Sequence, residues 1–332
     1  MAATIRDIKD RTGLSLATIS KYLNGGNVLP ENRQKIEAAI EELHYEVNEI
    51  ARGLVTNKTR TIGVVVFSIE SLFNGILLRY VGEVLRRKGY GLLICDSCYD
   101  EKIEADNIRF LLGKKVDGII VLPVSHNSDF LQPAKHRNIP IVLLDRTIEG
   151  AECDCVKIDN RVVAKQATKY LIEKNHIKIA IICSKTEYTG IERYKGFVDA
   201  MKESGLIILE EYCRQGSHAL KHGYDSMKAL LALEDKPTAV LMTNYEITLG
   251  AFMALKETEY RCPKDISMMG FDNLLLSNLV DPQLCLVVQP LQELAEKAAE
   301  MLLKRIENKS DEPAVEIVLD TVVEEGNSVR AI

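Results

Sequence analysis

The rhythm of hydrophobic and polar positions changes near residue 60. Before that point apolar residues recur at helical spacing; after it, short apolar runs alternate with amphipathic stretches. Residues 4 to about 45 read as three helices. Thr4-Ile5-Arg6-Asp7 has the form of a capping box that starts the first, and Gly13 stops it. Ser15 is placed as the N-cap of a second, whose apolar side is Leu14, Ile19, Tyr22 and Leu23. After the turn cluster Asn24-Gly25-Gly26-Asn27, Pro30 fits the first turn of a third helix carrying Ile36, Ala39, Ile40 and Leu43. A short piece, Asn48 to Leu54, has its own cap in Asn48, and Thr56 to Arg60 is polar and reads as a linker.

From Thr61 the pattern predicts strands at Ile62–Phe67, Gly91–Cys95, Gly118–Leu122, Ile139–Leu144, Cys155–Ile158, Lys178–Cys183, Ala239–Thr243 and Ser267–Phe271. Helical stretches lie between them at Gly75–Lys88, Ile103–Gly113, Arg161–Asn175, Ile191–Ser204, Tyr224–Ala232 and Ile247–Glu257, with a last one at Leu291–Glu307. Strict alternation of strand and helix means parallel sheets joined by right-handed crossovers. The run is too long for one such sheet, so two similar lobes with a cleft between them are expected. The fold class is α/β: a helix-turn-helix domain of three helices over 1–46, a hinge and linker over 47–60, and a two-lobed core over 61–332. One lobe is drawn as about 61–157 plus 290–314, the other as about 158–289 plus 315–332.

Charge sharpens this division. The chain has 332 residues and a net charge of -6, yet residues 1–60 hold nine Lys and Arg against eight Asp and Glu, or +1, which leaves -7 for the rest. An acidic body repels DNA, so contact with nucleic acid is confined to the N-terminal end. The opening residues reach charge at once without an apolar signal segment, and runs such as Ile62 to Phe67 fall far short of a membrane span. A cytoplasmic protein with reduced cysteines, and no membrane contact, is expected. Cys95-Asp96-Ser97-Cys98 is formally a C-x-x-C among eight cysteines, but no matching pair stands at zinc spacing, and free thiols at a strand end are the simpler reading. His218 and His222, four apart, form half of a metal site without a third ligand. No metal and no cofactor are therefore assigned. The nucleotide, phosphate-loop, nucleophile-elbow and metalloprotease motifs are all absent, which argues against an enzyme. A plain solute-binding protein accounts for 61–332 and leaves the helical head unexplained.

The turn Gly13-Leu14-Ser15 between two capped helices is a helix-turn-helix signal, which places its second helix in the major groove. The segments Thr4 to Ile8, Gly13 to Asn24, Arg33 to Ile36 and Asn48 to Leu54 resemble, in order and spacing, the DNA-binding domain of the lac-repressor family. Val116 to Ile120, Ile139 to Arg146, Ile158 to Asn160, Glu192 to Phe197 and Pro263 to Asp272 resemble that family's core, so the likeness covers nearly the whole chain. It implies a core like the periplasmic sugar-binding proteins, a homodimer and a pseudo-palindromic operator on double-stranded DNA. Leu16, Ala17 and Lys21 fall where the family reads base edges, and their chemistry fits: Lys can donate to guanine, while Leu and Ala can touch a thymine methyl. Thr4, Ser15, Thr18, Ser20 and Asn24 fall where register is fixed on phosphates. Asn48, Ala51, Arg52 and Leu54 fall on the hinge. Leu54 matches a wedge residue, expected to enter the minor groove once two hinge copies meet over the operator. Val47 replaces a usual Pro there, and Glu46 and Glu49 add negative charge.

In the core the resemblance assigns Phe73, Asn74, Asp145, Arg193, His218, Asn244, Asp272 and Gln289 to an effector cleft. Carboxylate, guanidinium and amide groups suit a polyhydroxylated ligand, because each hydroxyl both donates and accepts. Tyr245 departs from the family's Asn-Asp pair. The function so implied is a sequence-specific repressor controlled by a small molecule, a sugar or sugar derivative. A partner protein or a non-sugar metabolite is the alternative control. No heptad tail follows Val329, which favours a dimer over a coiled-coil tetramer.

Overall fold

The three helices expected at the N-terminus form, and each local signal has its structural counterpart. In the computed structural model, which describes residues 3–45, 58–272, 277–308 and 312–332, α1 is Ile5–Thr12, α2 is Leu16–Leu23 and α3 is Pro30–Glu42. The Asp7 carboxylate accepts from the Thr4 backbone N–H at 2.7 Å and from its hydroxyl at 2.8 Å. Gly13 ends α1 at φ 69, and its N–H reaches the Lys9 carbonyl. A left-handed residue costs little there because glycine has no Cβ. The Ser15 hydroxyl caps α2 by accepting from the Thr18 N–H at 3.1 Å. Ile8, Ile19, Ile36 and Ala39 are all buried and hold the three helices together. The division between this unit and the core falls between Arg60 and Thr61.

The core holds two six-stranded sheets. The first lobe contains β1 (Thr61–Val66), α4 (Leu72–Arg87), β2 (Gly91–Asp96), α5 (Glu101–Gly113), β3 (Gly118–Val121), α6 (Gln132–Lys135), β4 (Ile141–Leu144) and β5 (Asp154–Ile158). The second lobe contains α7 (Asn160–Glu173), β6 (Ile179–Ser184), α8 (Tyr188–Glu203), β7 (Cys213–Gly216), α9 (Leu220–Leu231), β8 (Ala239–Met242), α10 (Tyr245–Lys256), β9 (Ser267–Phe271) and β10 (Cys285–Val288). The chain then returns through α11 (Leu291–Asn308), β11 (Glu316–Leu319) and β12 (Val322–Glu324). Strand orders are β11-β5-β4-β3-β1-β2 and β12-β10-β9-β8-β6-β7, parallel throughout except for β10 with β12. Central strands such as β3, β4 and β8 are buried at every position, as parallel strands covered on both faces require.

Four strands were not foreseen: β7, β10, β11 and β12. All are three or four residues long and three of them are edge strands, so length does not announce them, and only β10 carries an unbroken apolar run. One boundary needs correction. The segment 315–332 was placed wholly in the second lobe, yet β11 pairs with β5 in the first. The Asp154 carboxylate explains this: it accepts from Arg305 of α11 at 2.8 and 2.7 Å and from the Val315 N–H at 2.9 Å, which ties the incoming strand to β5. The chain therefore passes between lobes three times, after β5, after β10 and between β11 and β12. Six of the core helices start one to four residues before the expected positions, because the apolar period begins only after the cap and first turn, while α11 starts at Leu291 as expected.

In the second lobe the helices pack in close pairs. A Cβ at Gly196 of α8 would lie 2.1 Å from the Arg161 carbonyl oxygen of α7, and one at Gly250 of α10 would lie 2.0 Å from the Leu220 carbonyl oxygen of α9. Backbone atoms cannot yield as a side-chain end can. Gly196→Ala is therefore expected to force α7 and α8 apart and destabilise the core by about 1–3 kcal/mol. The check is the urea midpoint at unchanged slope; a midpoint equal to the parent's would mean the pair separates freely.

Candidate functional site

On the N-terminal unit, α2 has two distinct sides. Ile19 is wholly buried and Tyr22 and Leu23 are half-buried against the other helices. Leu16, Ala17, Lys21 and Asn24 are exposed, with Ser20 half-buried among them. Leu16 keeps 39% of its surface exposed, so it is not a packing residue of this unit. Thr4 and Ser15 are also exposed, each at a helix start. Thr18 is half-buried, its hydroxyl 2.9 Å from that of Ser15. The Asn24 amide donates to the Ser20 carbonyl at 2.8 Å, which closes α2. The structure thus brings the proposed base-reading and phosphate positions of α2 onto one open face. Asn48, Ala51, Arg52 and Leu54 lie outside the described residues.

In the core, a narrow cleft opens between the carboxyl ends of the two sheets. Such ends are where ligands bind in open parallel sheets. Of the expected residues, Phe73, Asp145, Arg193, His218, Asn244, Asp272 and Gln289 all line it. Asn74 does not. It is wholly buried and its amide donates to the Ser68 carbonyl at 2.7 Å. One residue along a helix turns a side chain by about 100°, so Phe73 meets the cleft while Asn74 enters the core.

The two lobes supply this wall in parallel ways. Asp145 follows β4 and Asp272 follows β9; both are left-handed, at φ 73 and φ 55. Each sends its N–H to the neighbouring strand, to the carbonyl of Val156 or Val287, at 2.9 Å. Arg146 donates to Asp145 at 3.0 Å and lies 4.3 Å over the Phe67 ring. Arg193 donates to Asn160 at 2.8 Å and to the Thr243 carbonyl, and lies 4.2 Å over the Phe271 ring. Gln289 donates to the Asp272 carboxylate from both its side chain and its backbone. Asn244 caps α10 by accepting from the Ile247 N–H, and its amide donates to the His218 carbonyl.

Several lining residues were missed: Phe67, Ser71, Arg146, Thr189, Tyr245 and Glu246. Arg146 could have been found, since it adjoins Asp145 at the end of a predicted strand. Glu246 could have been suspected as an acidic residue in the first turn after a capping Asn. The Ser71 hydroxyl donates to Glu246 at 3.2 Å, a bond that runs from one lobe to the other across the cleft. His218 stands between two carboxylates, Glu187 at 3.5 Å and Glu246 at 3.8 Å. His222 turns away, its ring facing the carbonyls of Cys183 and Arg214. Among the described residues no group of His, Cys, Asp or Glu is arranged to hold a metal, and no helix is long and apolar enough to cross a membrane. All eight cysteines are free; burial pushes the Cys95 thiol up, and the Asp96 carboxylate does the same to Cys98. Neither is poised as a thiolate.

Burial pushes the Asp272 carboxyl up to about 6, against the opposing pull of Arg193 and Gln289. Burial also raises Glu187, but hydrogen bonding and charge from His218, the Ser184 hydroxyl and Arg146 outweigh it and hold the group at about 2. Burial lowers Arg193 despite Asp272 and Asp145 nearby.

Residues 4–48 match the model "Bacterial regulatory proteins, lacI family", and residues 59–322 match "Periplasmic binding proteins and sugar binding domain of LacI family". The chain is 34% identical over 316 residues to the HTH-type transcriptional repressor PurR of Pasteurella multocida, covering 94% of this chain and 95% of that one. It is 30% identical over 318 residues to catabolite control protein A of Priestia megaterium, covering 95% and 96%. Among solved structures, a lac repressor dimer bound to operator and the anti-inducer ONPF superposes with TM-score 0.89 at 20% identity over the full length of both, a likeness of fold. A putative ribose operon repressor from Burkholderia thailandensis gives TM-score 0.72 at 31% identity, covering 80% of this chain and 98% of that one.

The two shifted carboxyls give opposite pH signatures. Asp272 binds its proton more tightly folded than at its ordinary 3.8, so its stabilising contribution is lost as pH rises from about 4 to about 6. Glu187 is held below its ordinary 4.5, so its contribution is present above that pH and lost as pH falls towards about 2. Asp272→Asn is expected to flatten the urea-midpoint profile between about pH 4 and 6, and Glu187→Gln the one below about 4.5. A parent-like slope in either variant would refute that carboxyl's assignment.

Proposed function

The chain belongs to the LacI family of bacterial regulatory proteins, as a DNA-binding transcriptional repressor, and we propose that a small molecule in the core cleft sets how tightly its helical head holds an operator. The head reads DNA through the exposed face of α2. Leu16, Ala17 and Lys21 meet base edges, while Thr4, Ser15, Thr18, Ser20 and Asn24 fix register on phosphates. Two copies act together on a pseudo-palindromic site in the cytoplasm, with Asn48, Ala51, Arg52 and Leu54 forming the hinge between head and core.

The observation that carries the regulatory reading is the cleft itself. Both lobes present polar groups to one space, and the Ser71–Glu246 bond spans it. A ligand with hydroxyls can bond Asp145, Arg193, Asn244 and Asp272 at once, and phenyl rings such as Phe67 and Phe73 cover apolar faces of a sugar ring. Because those groups sit on different lobes, occupancy favours one relative placement of the lobes over another. That differential binding is what allows a ligand to shift an equilibrium. A sugar or sugar derivative is the class that fits this wall, in keeping with the sugar-binding description of the matched core model.

The test pairs one variant on each part of the full chain. A binding site is first selected from random duplexes, and a ligand from a melting-temperature screen of sugars and sugar derivatives. Lys21→Ala is expected to lose about 1–3 kcal/mol on the selected site and far less on random DNA. Equal losses on both would reduce Lys21 to a phosphate contact. Arg193→Ala is expected to lose the ligand response, and its melting temperature is read alongside because Arg193 also bonds Asn160 and stacks on Phe271. Calorimetry giving parent-like ligand affinity in Arg193→Ala would remove the cleft assignment. Operator DNA must in turn change ligand affinity by the same factor.

A further inference from the structure

The balance of charge in the cleft deepens this reading. Arg146 is committed to Asp145, and the field of Arg193 falls on Asp272 and Asp145, so these four groups largely neutralise one another. Glu187 and Glu246 remain, with only His218 between them. Counted by charge, Asp145, Asp272, Glu187 and Glu246 face only Arg146 and Arg193; Glu187 is steadied by His218, the Ser184 hydroxyl and Arg146, and Glu246 by the Ser71 hydroxyl. The Glu187 and Glu246 side chains are only 12% and 25% exposed, so water does little to offset their charge. The Glu187 Oε2 atom is buried without completing a hydrogen bond.

A second observation points the same way. The Gln289 side chain lines the cleft and is 4% exposed; its amide nitrogen serves Asp272, while its oxygen is buried with no donor. Glu187 Oε2 faces the equally unmet His218 Nδ1 at 3.5 Å, so the Gln289 oxygen is the cleft acceptor that calls for an outside donor. Aromatic rings complete the setting: Tyr99 lies 5.4 Å from Phe67 and 6.2 Å from His218, next to the two carboxylates. Ring faces beside carboxylates favour a cation. An anion would look instead to the start of α10, where the first turn already carries Glu246.

We propose that the effector is a polyhydroxylated molecule bearing a protonated amine, an amino sugar in class, whose ammonium group sits at the Glu187–His218–Glu246 end of the cleft. This rests on the regulatory reading above and specifies its ligand. The hydroxyl-bearing ring lies towards Asp145, Arg193 and Gln289, and the ammonium replaces the missing positive charge. Engaging Glu246 competes with the Ser71 bond, so the same contact that selects the amine also alters the link between lobes. Among the described residues of this wall a sugar phosphate meets no uncommitted cation.

The experiment uses the full-length chain and matched trios of amino sugar, neutral sugar and sugar phosphate built on glucose, galactose and mannose. Melting temperature and calorimetry are read for each, together with affinity for the selected DNA site. In the responding trio the amino member is expected to bind at least about tenfold tighter than its neutral twin, with the phosphate weakest. Glu187→Gln and Glu246→Gln should each bring the amino and neutral members to within about twofold of each other. A neutral or phosphorylated member binding tightest overturns the proposal. So does a preference for the amine that survives both substitutions, or a panel with no responder. The two readings fail separately: a neutral or phosphorylated responder that changes DNA affinity leaves the regulatory reading standing. An amino responder that binds without changing DNA affinity leaves the charge assignment standing and removes the regulation.

Discussion

The core is organised around charge that must be kept out of water at the carboxyl ends of two parallel sheets. Asp145, Arg146 and Arg193 are each at most 3% exposed, and the Asp272 carboxyl is pushed up to about 6 by burial. Charges at such depth are tolerated only when paired and hydrogen-bonded. Each lobe meets that demand with the same parts: an Asp in left-handed conformation after a strand, an N–H to the adjacent strand, and an Arg stacked on a Phe. Asp is among the few residues that take a positive φ at modest cost, and it also carries the carboxylate, so one residue type satisfies both requirements. The cleft's polarity is thus a by-product of how the two sheets end.

That arrangement has a mechanical side. Three thin crossings join the lobes, and α11 is pinned to β5 by Arg305 and Asp154, so the returning chain cannot slip against the first sheet. Each lobe has its own covering of helices, and in the second they close on glycines with backbone touching backbone. Packed interiors of this kind move as bodies rather than deform. Change between states is therefore concentrated at the crossings and at bonds that span the cleft, of which Ser71 to Glu246 is one. The first lobe begins with β1 at Thr61, directly after the division from the helical head.

Much of this was legible before any coordinates. Alternation of apolar runs with amphipathic stretches yields eight of the strands because β1, β3, β4, β8 and their like are buried on both faces and read as unbroken hydrophobic runs. The helical head was legible from caps alone: Thr4 with Asp7, Gly13, Ser15 and Pro30 each have a local physical cause. What stayed hidden was whatever depends on partners remote in sequence. β11 is half-exposed and carries no mark of which sheet it joins; its place comes from a carboxylate 161 residues earlier in the chain. Asn74 was misplaced because adjacency to Phe73 in sequence is not adjacency on a helix. Glu187 and Glu246 look like ordinary surface acids until the fold sets them on either side of His218.

Those two carboxylates also bear on how one scaffold serves different ligands. Asn244 must cap α10, and Asp145 and Asp272 must end their strands, so substitutions there would disturb folding as well as binding. Tyr245 and Glu246 sit one and two residues beyond the cap, where the backbone is already determined and both residues line the cleft. Glu187 occupies the equivalent kind of place, as N-cap residue of α8, with no side-chain cap bond of its own. Helix starts at strand ends are free to vary in chemistry while the strand-end charges hold the lobes in shape. Specificity is accordingly expected to reside in the first turns of α8 and α10, and recognition of a hydroxylated ring in the strand-end set that the two lobes share.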